Sequence, residues 1–167
     1  LHSFQPAVKD IMKVSGCDLL IYVGGESDEW IEDALESAQN KEMKTINLME
    51  VLADSIKEEE TVEGMQENEH GHEHEDEKEY DVWTSLRNAS TVCDAIAETL
   101  TEMDPKNKDI YQANAEAYQK KLSALDADYQ NTVENAKQNT LLFADRFPFR
   151  YLTDDYGLNY YAAFSGC

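Results

Sequence analysis

The sequence predicts an α/β protein: a parallel-sheet lobe from which a long helix leads toward a second lobe. Three observations carry this. Two short apolar runs, LLIYV (Leu19 to Val23) and KTINLME (Lys44 to Glu50), are separated by an amphipathic helical stretch. A helical pattern of about 30 residues follows, roughly 45 Å long at 1.5 Å per residue and more than one small domain needs. A second pair of apolar runs, TLLFA (Thr140 to Ala144) and NYYAAF (Asn159 to Phe164), brackets another helical segment.

The elements follow in order. Pro6 suits a first helical turn, Ala7, Ile11 and Val14 recur at helical spacing, and Gly16 ends the run. LLIYV is a continuous apolar run, expected to be a strand buried on both faces. Gly24 and Gly25 make a turn; the GxGxxG pattern of a dinucleotide site is absent. Ser27 is the expected N-cap of the next helix, with Asp28 and Glu29 at its positive end. Its apolar face is Trp30, Ile31, Ala34, Leu35 and Ala38, and Asn40 stops it. KTINLME then reads as a second buried strand, and strand, helix, strand at these lengths is a parallel unit with a right-handed crossover.

Between Lys57 and Asp81 stand twelve carboxylates and only two lysines. Apolar residues almost vanish after Met65, so residues from about Glu58 to Glu79 are expected to form a mobile loop without apolar anchors. Order resumes at Trp83, where Ala89, Val92, Ile96, Leu100 and Met103 keep one helical face. Asp104 and Pro105 form a cap and a first-turn proline. The long helix, expected from about Pro105 to Ala136, carries Ile110, Tyr118, Leu122, Leu125, Tyr129 and Val133. Spacings of four, three and four place Tyr118, Leu122, Leu125 and Tyr129 on one stripe, expected to pack on the first-lobe sheet. YLTDDYGL is a helix ending at Gly157. The divisions are thus residues 1–56 (first α/β segment), 57–81 (acidic loop), 82–137 (helices) and 138–167 (start of a second lobe).

Composition bounds the function. Of 167 residues 41% are hydrophobic and 10% aromatic, enough for a core. Fourteen basic residues against 35 acidic ones leave a formal charge of −21, which disfavours nucleic acid and anionic membranes and favours cations as partners. The three cysteines, Cys17, Cys93 and Cys167, show no paired spacing, so neither a thiolate zinc site nor a disulfide framework is indicated, and Cys17 and Cys93, in apolar patterns, are read as buried thiols. No stretch approaches the roughly 20 apolar residues of a membrane span. The chain starts at LHSFQP without a methionine or signal peptide and is read as a piece of a longer protein. No GxSxG, HExxH, phosphate-binding loop or Cys/His pair suggests an enzyme.

His70, His72 and His74 alternate through HGHEHED, amid carboxylates. They are either incidental members of a solvated charge run or a weak, fast-exchanging trap for transition metals, since neutral imidazoles ligate such ions and carboxylates attract them. Arg146 and Arg150 flank FPF and either pair with Asp145, Asp154 or Asp155, or Arg146 faces a carboxylate such as Asp81.

These segments, in this order, resemble the metal solute-binding proteins of bacterial ABC importers, the zinc/manganese (ZnuA-like, cluster A-I) group. HSFQP, its helix and CDLLIYVGGESDEW are similar to the family's first ligand histidine, strand and Trp-bearing helix. The histidine/acid loop sits where zinc-specific members carry one. DVWTSLRNA resembles the family's HVWLSPRNA, and RFPFRYLTDDYGL its HDAFGYLAKRYGL. The resemblance implies two α/β lobes joined by a backbone helix, with one divalent metal in the cleft, zinc or less readily manganese, and delivery to an ABC permease. It implies an extracytoplasmic protein that meets the membrane only through a lipid anchor not present in this chain. His2 falls on the first ligand position and Asp81 on the second, unless a short pair has been deleted after Asp81. Arg146 falls on the third and cannot ligate a metal, being always protonated. The fourth lies beyond Cys167. The alternative is a metal-buffering or surface interaction protein on the same scaffold without a working cleft site.

Overall fold

Two parallel strand–helix–strand units, one early and one late in the chain, flank a pair of packed helices. The computed structural model describes residues 6–25, 28–58, 60–65 and 81–164. The first unit comprises α1 (Val8–Gly16), β1 (Leu19–Tyr22), α2 (Glu29–Glu36) and β2 (Lys44–Asn47), followed directly by α3 (Leu48–Val51). Strands β1 and β2 pair in parallel from Leu19 against Lys44 to Tyr22 against Asn47. Next come α4 (Leu86–Met103) and α5 (Lys108–Glu134), then β3 (Thr140–Phe143), α6 (Arg150–Tyr156) and β4 (Asn159–Ala162). The second parallel pair runs from Thr140 against Asn159 to Phe143 against Ala162.

Local chemistry explains the boundaries. Helix α1 starts at Val8, later than expected: Ala7 is its N-cap, its amide held by the Asp10 carboxylate at 3.2 Å, so Pro6 precedes the helix. Asp28 occupies the N-cap of α2 and its Oδ2 accepts from the amides of Val23 (3.0 Å) and Gly24 (2.9 Å), closing the β1–α2 turn. Ser27, the expected cap, lies outside the described residues. Gly24 has φ of 91°, and a Cβ there would meet Asn47 Oδ1 at 2.6 Å, so only glycine fits. Ile31, Ala34 and Ala38 are buried as the periodicity of α2 demands.

Three expectations need correction. KTINLME is not one strand: Asn47 Oδ1 accepts from the amides of Met49 and Glu50, and this cap turns Leu48 to Glu50 into helix α3. Nor are the strands buried on both faces. Ile21 is exposed, and Leu142 is 83% exposed beside its exposed register partner Tyr161. An apolar run records strand propensity, whereas covering both faces needs layers that a two-stranded sheet does not bring with it.

The third correction concerns α5. It is a single 27-residue helix, about 40 Å long, as expected. It packs on α4 rather than on the first sheet. Of the predicted stripe only Leu122 is buried; Tyr118, Leu125 and Tyr129 are 51%, 42% and 40% exposed. One neighbouring helix covers one narrow side of a helix this long. The α4–α5 corner is capped as read from Asp104–Pro105: Asp104 Oδ2 accepts from Asn107 Nδ2 (2.6 Å) and the Tyr111 hydroxyl (3.0 Å).

Two apolar clusters tie the chain together. Leu52, Val82 and Tyr151 form one, with Leu48, Met49, Val51, Ile56 and Val92 against it. Phe147, Tyr160 and Ala162 form the other, joined by Leu141, Phe143, Val62 and Met65. The acidic segment is therefore anchored over its first part: the Lys57 amide donates to the Tyr151 hydroxyl (3.2 Å), Lys57 Nζ pairs with Asp154 (2.6 Å), and the Tyr160 hydroxyl donates to Glu60 (3.1 Å). Val62 and Met65 supply the apolar contact that mobility from Glu58 onward would have excluded. Residues 66–80 lie outside the described residues.

Leu122→Ala is expected to cost about 2–4 kcal/mol, a transfer term plus a cavity. Half-exposed Leu125→Ala should cost under about 1 kcal/mol. Denaturant melts of the two variants measure the difference, and equal losses would mean that the α4–α5 seam is misassigned. A second expectation concerns pH. Hydrogen bonds from Asn107 and then Tyr111 hold the Asp104 carboxyl below its usual range. A depressed folded pKa stabilises the fold fully above the unfolded value of about 3.9, and the contribution disappears as pH falls through the folded value. The carbon-13 titration of Asp104 should thus have a low midpoint that moves back toward the ordinary value in Tyr111→Phe.

Candidate metal site

The turn from Asp81 to Asn88 is a closed circuit of hydrogen bonds. Asp81 is the N-cap of a 3-10 turn (Val82–Thr84), and its carbonyl accepts from the Thr84 amide (3.0 Å) and hydroxyl (2.8 Å). Ser85 caps α4: its Oγ accepts from the Asn88 amide at 3.1 Å. Asn88 Nδ2 returns to the Val82 carbonyl at 3.1 Å. The Ser85 hydroxyl proton goes to Asp155 Oδ2 on α6, at 2.5 Å. Asp81, Ser85 and Asn88 are all buried, at 6%, 2% and 7% exposure. Polar side chains so enclosed are stable only when paired, and Ser85 and Asn88 satisfy each other within one turn.

The β3–α6 connection carries the other expected position. Arg146 is exposed there, its amide donating to Asp145 Oδ1 at 2.8 Å, while the next residue, Phe147, is buried and stacks on Tyr160 with ring centroids 3.7 Å apart. Arg150 takes the structural role expected of these arginines: it pairs with Asp154 one turn along α6, and its Nε lies 3.3 Å from Glu60 Oε2. That second contact is an ion pair without hydrogen-bond alignment. Asp155 also faces Arg87, with Nη1 to Oδ1 at 3.8 Å. His2, His70, His72 and His74 lie outside the described residues.

The phenols nearby stay neutral. Burial, reinforced by the bond to Asp126, pushes the Tyr156 hydroxyl well above its ordinary value; burial and the neighbouring Glu60 do the same for Tyr160. Both therefore act as donors. The Cys93 thiol is also raised, chiefly by burial, which keeps it a poor nucleophile and ligand. Cys17 and Cys93 are half-buried rather than enclosed, and Cys17 Sγ approaches Met43 Sδ at 3.5 Å. An open groove of about 550 Å³ between α4 and α5 is lined by Asp94, Glu98, Glu102 and Glu116 together with Lys108. Among the described residues, no three His, Cys, Asp or Glu side chains are placed to hold a metal ion.

Sequence reasoning did not single out Ser85 and Asn88, and it named Asp155 as a partner of Arg146 or Arg150, not of Ser85. The first two carried a signal, a serine three residues before an asparagine at a helix start. Asp155, 70 residues away, carried none.

With 29% identity over 165 residues, the chain is similar to the zinc-binding protein AdcA of Streptococcus pyogenes serotype M3, covering 95% of this chain and 32% of that protein. It is 30% identical over 162 residues to the zinc-binding lipoprotein AdcA of Streptococcus pneumoniae serotype 4, covering 94% of this chain and 31% of that protein. The chain thus spans about a third of the length of these relatives. Among solved structures, the Zn(II)-bound ZnuA-like domain of Streptococcus pneumoniae AdcA superposes with a TM-score of 0.72 at 27% identity, over 99% of this chain and 55% of that one. The metal-dependent lipoprotein YcdH from Bacillus subtilis shares the fold, with a TM-score of 0.73 at 24% identity over 96% of this chain and 53% of that one. A family model describing the periplasmic component A of the zinc-uptake complex (ZnuA) matches residues 1–167, and the chain belongs to that family.

Proposed function

We propose that the protein containing this chain is the extracytoplasmic solute-binding component of an ABC importer, which captures a divalent metal, zinc, and hands it to a permease. The observation that carries the reading is family membership along the whole chain, with names of zinc-binding proteins and lipoproteins among the relatives. No helix among the described residues is long and apolar enough to cross a membrane. Zinc is cargo here. Its binding is non-covalent and asks for no catalytic step.

In this reading His2 and Asp81 are ligands in the cleft, and Arg146 is a fixed positive charge in place of a third. Arg146 pairs with a carboxylate across the cleft, Asp81 being the candidate. His70, His72 and His74 form a separate, weaker trap that raises the local metal concentration. The burial of Asp81 at the head of α4 supports the first part, because a carboxylate held in an ordered turn loses little entropy on ligation.

Two measurements test this. In the full-length protein, one tightly bound zinc per molecule should survive alanine replacement of His70, His72 and His74, while weaker calorimetric sites disappear. Loss of all zinc with those three histidines would instead identify a metal buffer without a working cleft. Arg146→His should tighten zinc binding by about tenfold or more, since it exchanges a cation for a neutral imidazole ligand. Unchanged affinity in that variant would remove Arg146 from the cleft.

A further inference from the structure

We propose that Asp155, on α6, is a positioning residue for Asp81: through Ser85 and Asn88 it fixes the turn from which that carboxylate is presented to the metal. The inference rests on the reading of Asp81 as a cleft ligand.

The geometry runs in one direction. Asp155 Oδ2 accepts the Ser85 hydroxyl proton at 2.5 Å, a bond between residues 70 apart in the chain. With its proton committed to Asp155, Ser85 Oγ offers its lone pair to the Asn88 amide at 3.1 Å. Asn88 Nδ2 then grips the carbonyl of Val82, the residue that follows Asp81. The Asp81 carbonyl in turn holds both the amide and the hydroxyl of Thr84. A serine capping a helix needs no carboxylate behind it, since the hydroxyl proton ordinarily turns to solvent. At 2% exposure Ser85 has no solvent, and Asp155 removes its rotational freedom.

The aspartate is itself held. Its carboxylate faces Arg87 Nη1 at 3.8 Å, and its carbonyl accepts from Arg87 Nη2 at 3.4 Å. Its neighbour Asp154 points into a different set of partners, Lys57 and Arg150, and has no bond to the 81–88 turn among those resolved. Two adjacent carboxylates on one short helix therefore separate the roles: Asp154 joins α6 to the start of the acidic segment, and Asp155 governs the head of α4. Partners that orient a metal ligand from behind typically contribute 10–100-fold to metal affinity.

The experiment uses the full-length protein and compares Asp155→Ala, Asp155→Asn, Asp154→Ala and Asp81→Ala. Zinc affinity is measured by competition with a chelator, thermal stability by melting, and hydrogen exchange at the Asn88 amide by NMR or mass spectrometry. Asp155→Ala should weaken zinc binding about 10–100-fold and speed exchange at Asn88. Asp155→Asn, which keeps an oxygen acceptor for Ser85, should restore both. Asp154→Ala should lower the melting temperature yet leave zinc affinity and Asn88 exchange as they were. If Asp155→Ala does not fold, Ser85→Ala breaks the same relay from its other end and carries the same expectation. Equal loss of zinc affinity in Asp154→Ala and Asp155→Ala, or unchanged Asn88 exchange in Asp155→Ala, overturns the inference alone. Zinc affinity unchanged in Asp81→Ala overturns the ligand assignment, and the inference with it.

Discussion

Burial of Tyr151 between Leu52 and Val82 is the contact on which the arrangement of the two parallel units depends. Tyr151 is 1% exposed, and its ring meets the end of the first unit at Leu52 and the approach to α4 at Val82. Its hydroxyl takes the Lys57 amide, so the polar end of the ring is not stranded in the core. Helix α6 has seven residues, too few to be helical unaided. It is held by what it touches: Ser85 and Lys57 through Asp155 and Asp154, and Asp126 of α5 through the Tyr156 hydroxyl. Its end is closed by Gly157 in the left-handed region, with the Leu158 amide bonded back to the Thr153 carbonyl at 2.8 Å.

An excess of 35 acids over 14 bases gives cations a structural value beyond any single ion pair. Pairs between partly exposed groups contribute roughly 0–1 kcal/mol each. Lys57, Arg87 and Arg150 nonetheless all converge on α6, where they separate Asp154, Asp155 and Glu60 from one another's charge. The same ties secure the beginning of the acidic segment, with Val62 and Met65 adding an apolar foothold beside Phe147. An element that reads as a solvated charge run thus begins as part of the core.

The metal-delivery reading gains physical content from the difference between its two described positions. Asp81 lies within a buried turn closed by hydrogen bonds. Arg146 stands in an exposed connection anchored one residue later by Phe147. In the proposed cleft, a carboxylate on one element and an obligate cation on another would give a charge balance unlike three neutral imidazoles, and a doubly charged ion would depend more heavily on the carboxylate side.

What the sequence by itself determined was local: the class and order of the elements, the parallel pairing of the first unit, the Gly24 turn, the Asp104 corner and the Gly157 stop. The turn, the corner and the stop follow from backbone sterics or capping within a few residues, and the class and order of the elements from periodicity. The tertiary structure decided which surfaces are covered. Leu122 and Leu125 share a helical stripe against α4, yet of the two only Leu122 is buried. Leu142 sits in an apolar run and is open on its face. Asn47 ended a strand that hydrophobicity alone would have prolonged, because one side-chain oxygen captured two amides. The support behind the candidate site was hidden for the same reason: Ser85 and Asn88 are legible as a cap, whereas Asp155 acquires its role only when folding brings α6 against α4, and periodicity in a single sequence carries no information on that distance.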